Sequence, residues 1–303
     1  MKVPGKISSI TELHGVLKLK RPIHPLISVF GFSEISAEQG TLLSAVVTGF
    51  YVIALKKDCA SGKCRYGQQY YDFDEGVMYF MAPGQVLRFE DILLSEVKGF
   101  ILAVHPDFLH GYPISGRIKG YGYFSYSSNE ALYLSEREEK SVMDIVGNIS
   151  NEIEANMDAF TQDLLISNIE LLLKYCDRFY NRQFLTQKKS NNDLLSRFEI
   201  LLDRFFNDDE LSVGGAPTVL KIASELNLSP NYLSDMLRVQ TGQTTQQHIQ
   251  ARIIEKAKEL LSTTGLSVSE IAYQLGFEHA QSFHRLFKFR TSVSPSEFRE
   301  SFN

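Results

Sequence analysis

Ile222-Ala223-Ser224-Glu225-Leu226-Asn227-Leu228 recurs 49 residues later as Ile271-Ala272-Tyr273-Gln274-Leu275-Gly276-Phe277, and this repeat decides how the last third of the chain is read. After one inserted residue the match continues, with Leu233-Ser234-Asp235-Met236-Leu237-Arg238 against Phe283-His284-Arg285-Leu286-Phe287-Lys288. Thr241-Gly242 then matches Thr291-Ser292. Two copies of one supersecondary unit are too few for a solenoid. Each copy reads as a helix, a tight turn and a second helix. Asn227 and Gly276 stand where a left-handed residue ends the opening helix. Ser229-Pro230 is an N-cap followed by Pro at the first helical position. Ser267 with Glu270, and Ser294 with Pro295 and Glu297, cap the helices that follow them. Ala223 and Ala272 supply a small side chain where two helices cross steeply.

These are the features of a helix-turn-helix, whose second helix lies in the major groove of DNA. Helix pairs capped in this way also occur in plain bundles, but here two units stand in register, at about 218–241 and 267–290. The single helix expected between them, about Thr245 to Leu261, is roughly 25 Å long. With its flanking turns it could set two recognition helices about one DNA turn apart, near 34 Å.

On the first recognition helix the outward residues are Asn231, Ser234 and Asp235, with Arg238 a turn further on. Asn can pair with adenine and Asp can accept from cytosine N4. Ser229 and Arg238 are assigned to phosphate. Asp235 repels phosphate, so this helix is expected to bind more weakly than its partner or to read fewer bases. Tyr232, Leu233, Met236 and Leu237 are assigned to the core. On the second recognition helix Gln281 suits adenine and Arg285 suits guanine, while Ser282 and His284 can reach bases. Lys288 and Arg290 suit phosphate contacts that fix register. From His279 to Arg290 there is no acidic residue. A solvated basic helix face is the plainer alternative.

Leu226-x-Leu228-Ser229-Pro230-x-Tyr232-Leu233-Ser234, Arg252…Ala257-x-x-Leu260-Leu261, Glu270-Ile271-Ala272…Gly276-Phe277 and Phe283-x-Arg285-x-Phe287-Lys288…Ser294-Pro295-x-x-Phe298-Arg299 resemble the AraC/XylS transcription regulators. The likeness spans about 85 residues, from Thr218 to Asn303. Ser292 departs from it where the family usually has Gly, and Asp235 where many members have Arg. The segment before it is similar, less specifically, to the cupin-like sensor half of the family at Tyr71-Asp72-Phe73-Asp74-Glu75-Gly76 and Ala82-Pro83-Gly84-Gln85. The resemblance implies an effector-responsive, sequence-specific DNA-binding regulator, usually an activator. Its partners would be double-stranded DNA, a small-molecule effector such as a sugar or other metabolite, a second copy as homodimer, and RNA polymerase.

The residues of the N-terminal part fit this outline. Short apolar runs at Leu26–Phe30, Leu42–Val47, Phe50–Leu55, Val77–Met81 and Phe100–Val104, separated by Gly, Pro and Asp turns, predict a small antiparallel sheet or barrel. Nineteen of the 35 aromatics lie before residue 136, as ligand-stacking walls or as plain core. Ser135 with Glu138 opens one helix, and a second runs from about Phe160 to Phe184 with a broad apolar face, for the barrel, for a partner subunit or for both. The fold expected is α+β and multidomain: a cupin-like antiparallel β-barrel with two following helices, then an all-α double helix-turn-helix. Residues 1–185 form the sensing and dimerising domain, 186–192 a polar linker, and 193–303 the DNA-binding domain.

His105 and His110 flank a Pro-Asp-Phe-Leu turn and are the candidate effector contacts. A sensor that takes a protein partner and no small ligand is the alternative. A metal-dependent cupin enzyme would need a His-x-His pair and a downstream Glu. His14, His24, His105 and His110 lack that spacing, so no catalytic residue, metal or cofactor is expected. Three cysteines, Cys59, Cys64 and Cys176, read as reduced thiols. Without a signal peptide or an apolar run of about 20 residues, the chain is expected in the cytoplasm with no membrane contact.

The whole chain carries a net charge of −5, yet residues 218–303 hold nine Lys+Arg against eight Asp+Glu, a balance of +1 that leaves −6 for the rest. Such a domain is near neutral. Weak non-specific binding and a shallow salt dependence are expected of it.

Overall fold

In the computed structural model, which describes residues 5–35, 46–57, 64–66, 69–71, 76–87, 98–186, 188–207 and 215–302, the described apolar runs of the N-terminal half pair as strands, Leu42 to Ala45 of the second run lying outside the described residues. The chain divides into two units, Met1–Gln183 and Phe184–Asn303.

In the first unit the strands are β1 (Gly5–Ile7), β2 (Ile27–Gly31), β3 (Val46–Thr48), β4 (Tyr51–Lys57), β5 (Cys64–Tyr66), β6 (Gln69–Tyr71), β7 (Gly76–Met81), β8 (Val86–Leu87), β9 (Lys98–Val104) and β10 (Leu132–Leu134). Five of them form an antiparallel sheet in the order β10-β7-β4-β9-β2, with Ile53 opposite both Phe80 and Leu102. A second sheet has the order β1-β3-β8, and β5 pairs with β6. The β1–β3 pair is parallel, Gly5 opposite Val46, which departs from the expected all-antiparallel pattern. Among the described residues the sheets are not closed into a barrel. Asp72 to Glu75, inside one of the two sensor motifs, lie outside the described residues.

The five-stranded sheet is buried on both faces, which is why β4 and β9 read as continuous apolar runs and not as alternating ones. One face sends Phe30, Val52, Ala54, Val77, Ile101 and Ala103 into a core shared with Val46, Phe50 and the helix α1 (Ile10–Val16). The other sends Met78 to within 3.9 Å of the Cys176 Sγ and Phe80 onto the ring of Tyr123, 4.5 Å between centroids. After the short helix α2 (Ile114–Arg117) come α3 (Glu136–Glu154) and α4 (Thr161–Thr186). The Ser135–Glu138 capping box forms as the spacing predicts.

β10 is an edge strand whose outward backbone groups would otherwise stay unpaired. α4 supplies the partners: the buried Gln183 accepts from Tyr133 N at 2.9 Å and donates to Ala131 O at 3.1 Å, and Arg182 donates to Tyr133 O at 2.6 Å while pairing with Glu138. The inward stripe of α4, Leu165, Ile169, Leu172, Leu173 and Cys176, is buried. Phe160, Leu164 and Leu171 form a second, exposed row.

The second unit is helical: α5 (Lys188–Asn207), α6 (Val219–Glu225), α7 (Pro230–Thr241), α8 (Thr245–Thr263), α9 (Val268–Gln274), α10 (Ala280–Thr291) and α11 (Pro295–Glu300). α5 takes up most of the segment expected as a linker at 186–192. Its polar start conceals a helix whose apolar anchors, Phe198, Leu201, Leu202, Phe205 and Phe206, all come later and are buried. Asn191, which reads as linker, is buried and donates to Phe184 O at 2.6 Å.

Candidate nucleic-acid interface

α6–α7 and α9–α10 are the two repeats, and their turns are built by the same hydrogen bonds. Leu228 N donates to Ala223 O at 2.9 Å and Asn227 N to Ser224 O at 3.1 Å; Phe277 N donates to Ala272 O at 3.0 Å and Gly276 N to Tyr273 O at 2.9 Å. Asn227 takes φ +59° and Gly276 φ +84°. The two left-handed positions differ in what surrounds them. A Cβ on Gly276 would lie 2.6 Å from the Gly215 Cα, so the second turn requires glycine on steric grounds, whereas the first tolerates Asn. Ala223 and Ala272 are fully buried, as a close helix crossing requires.

α8 joins the two repeats, with Ile249, Ile253, Ile254, Ala257, Leu260 and Leu261 turned inward. Its start is fixed by the reciprocal Thr244–Gln247 box. Ser267 and Ser294 cap α9 and α11 with Glu270 and Glu297. Hydrogen bonds from the Ser267 hydroxyl and backbone hold the Glu270 carboxyl below its ordinary value, and those from the Ser294 backbone and hydroxyl do the same for Glu297. α8 also packs on α5, where Arg252 donates to Asp203 at 2.5 Å and the Phe198 ring meets His248 edge-on. Burial there lowers the His248 pKa, and a neutral imidazole accepts or donates at Thr241 Oγ1, 2.8 Å away.

The recognition helices α7 and α10 are both 12 residues long and offset by 50. Asn231, Ser234, Asp235 and Arg238 therefore occupy the positions of Gln281, His284, Arg285 and Lys288. Gln281, His284, Arg285, Lys288 and Arg290 are all exposed, and Ser282 is half-buried. Arg290 donates to Gln250 on α8 at 2.8 Å, which pins its guanidinium near the helix junction.

On α7 the picture is more constrained. Asn231 is exposed, but the half-buried Ser234 donates to the fully buried Thr245 Oγ1 at 3.0 Å. Ser229 is buried with its hydroxyl accepting from Tyr232 N. Both hydroxyls serve the fold before they could serve DNA. Asp235 forms an intrahelical ion pair with Arg238, so the one acid and the one base of α7 hold each other. Asp235 and Arg285 occupy equivalent positions with opposite charge.

Ser292, like Gly242 at the end of α7, ends its helix left-handed, at φ +66°. The departure at this position is thus in residue type, not in backbone shape. The sequence reading also passed over Phe289, which is 82% exposed although Phe283 and Phe287 on the same helix are fully buried. Its four-residue spacing from Arg285 was the available signal.

In the first unit His105 and His110 bracket a 3-10 turn, Pro106–Leu109. His105 Nδ1 accepts from Asp107 N at 3.2 Å as the N-cap of that turn, and His110 is exposed at its end. Among the described residues no group of three or more His, Cys, Asp or Glu side chains is placed to hold a metal ion, and no helix is long and apolar enough to cross a membrane.

A family described as "Helix-turn-helix domain" matches residues 222–301. The chain is 30% identical over 132 residues, 44% of its length, to the uncharacterized HTH-type transcriptional regulator YijO of Escherichia coli K12. It is 37% identical over 81 residues, 27% of its length, to the arabinose operon regulatory protein of the same organism. It spans 44% of the length of the first and 28% of the second. A solved structure of the C-terminal domain of AraT, a response regulator from Geobacillus stearothermophilus, is 30% identical; the match covers 36% of this chain and 84% of that one, with a TM-score of 0.31. Residues 222–301 are thus a helix-turn-helix domain, similar to that of the arabinose operon regulatory protein.

Proposed function

We propose that the chain is a sequence-specific DNA-binding transcriptional regulator, an effector-responsive activator that lays α7 and α10 in two successive major grooves. The observation that carries this reading is the pair of identically hydrogen-bonded turns, each presenting the same outward positions on a 12-residue helix. Gln281, Ser282, His284 and Arg285 read bases, with Asn231 and Asp235 as a weaker set on α7, while Lys288, Arg290 and Arg238 meet phosphate. Ser229 and Ser234 contribute through the fold that aims these residues. The relative named as an operon regulator supports a role in transcription. The sensing and DNA-binding parts divide near the start of α5.

The N-terminal unit is the cupin-like sensor in this account, binding a sugar or other metabolite, with His105 and His110 as candidate contacts. The exposed row of Leu164 and Leu171 on α4, with Phe160 just before it, supports a homodimer contact there. Contact with RNA polymerase completes the activator reading.

The test is selection of the full-length protein on a random-sequence duplex library, followed by footprinting. Enrichment of sites protected over two adjacent groove segments is expected; no enrichment of any duplex contradicts the proposal. A thermal-shift screen against sugars and metabolites addresses the sensor, since a ligand at about 100 times its Kd adds about 2.7 kcal/mol of apparent stability. No shift across the screen would favour a protein partner for that unit.

A further inference from the structure

We propose that Phe289 is a specificity-determining residue, packing its ring on thymine C5-methyl groups in the groove that α10 enters. The inference rests on the DNA-binding reading above and extends it to a contact of a different chemical kind.

Three observations carry it. Gln281, Arg285 and Phe289 are spaced by four, so at 3.6 residues per turn they form one stripe on α10, with Phe283 and Phe287 on the opposite, buried side. Phe289 is 82% exposed, the most exposed of the large apolar side chains among the described residues. Lys288 and Arg290 flank it, and no acid lies between His279 and Arg290. The cations select a polyanion as the occupant of this face, and the ring needs an apolar group within that polyanion. In the major groove of DNA that group is the thymine methyl. From residue 281 to residue 289 the stripe is about 12 Å long, about the width of the groove, so its far end still meets base edges or their immediate border. The equivalent position on α7 is the half-buried Val239, so the contact belongs to α10 alone.

The experiment uses the duplex selected by the wild-type protein and replaces its thymines one at a time by deoxyuridine, which removes the methyl and nothing else. Wild type is expected to bind about fourfold more weakly for each contacted methyl lost. Phe289→Ala should bind the thymine duplex more weakly, show no further loss on deoxyuridine, and melt like wild type because the ring is exposed. Phe289→Leu should keep part of the methyl dependence. The inference is overturned if Phe289→Ala retains the full methyl dependence, if it binds the thymine duplex as wild type does, or if wild type ignores every methyl. Failure of wild type to bind any duplex overturns the DNA-binding reading and this inference with it; binding without methyl dependence overturns this inference alone.

Discussion

Replacing Asp235 by Asn tests how the two recognition helices divide their work. Asp235 and Arg238 are the only charged residues of α7, and they are paired, with side-chain exposures of 20% and 60%. The pair is intrahelical and its Arg238 end is solvated, so losing it costs the fold only about 0.2–0.5 kcal/mol. For DNA the consequence is larger. The helix goes from neutral to +1, and Arg238 becomes available to a phosphate. One more displaced counterion steepens the fall of log K with log salt by about 0.9. Across a fourfold change, from about 50 to about 200 mM salt, that slope amounts to about 3.5-fold in affinity. Fluorescence anisotropy on a random-sequence duplex at several salt concentrations measures it. The variant should bind more tightly than wild type at low salt, with an advantage that shrinks about 3.5-fold over that range. Unchanged slope and affinity would refute the idea that Asp235 restrains α7, and a loss of stability beyond about 1 kcal/mol would make the pair structural instead.

The turns and caps give further expectations. A left-handed residue with a Cβ costs about 1–2 kcal/mol, and glycine's extra freedom when unfolded takes back about 0.4–1, so Ser292→Gly should stabilise by about 0.5–1 kcal/mol in denaturant titration. Gly276→Ala should destabilise by about 2 kcal/mol or more because a Cβ meets the Gly215 backbone as well as the unfavourable φ, while Asn227→Gly should change stability by less than about 1 kcal/mol. Equal effects at the two turns would show that the close approach of Gly215 and Gly276 does not matter. Glu270 and Glu297 have lowered pKa values, so their contribution is present above the ordinary carboxylate range and is lost as pH falls through the depressed values. Substituting both by Gln should flatten the acid side of the melting-temperature profile between about pH 6 and about pH 3, and an unchanged profile would exclude the capping carboxylates as its source.

Much of the C-terminal unit is legible because its signals are local. Caps such as Ser267–Glu270 and the left-handed Asn227 and Gly276 depend on residues within one turn of each other, and the repeat supplies an internal check. What was missed depends on longer range. The start of α5 looks like a linker because Lys188, Lys189, Ser190, Asn191 and Asn192 carry no apolar anchor, yet the helix is held by Phe198 and Phe205 further on. The parallel pairing of β1 with β3 joins segments about 40 residues apart, which no local pattern encodes. Outward spacing placed Ser234 on the reading face but could not reveal that Thr245, from the next helix, takes its hydroxyl. Phe289 follows two buried aromatics, Phe283 and Phe287, on the same helix, and only its angle on that helix, beside Arg285, sets it apart from them.

The most direct test compares Arg285→Ala with Lys288→Ala on the selected duplex and on a random one. Arg285→Ala should lose about 1–3 kcal/mol on the selected site and little on random DNA, whereas Lys288→Ala should weaken both and flatten the salt dependence by about one counterion. Equal losses from Arg285→Ala on the two duplexes would contradict base reading by α10, and with it the central claim.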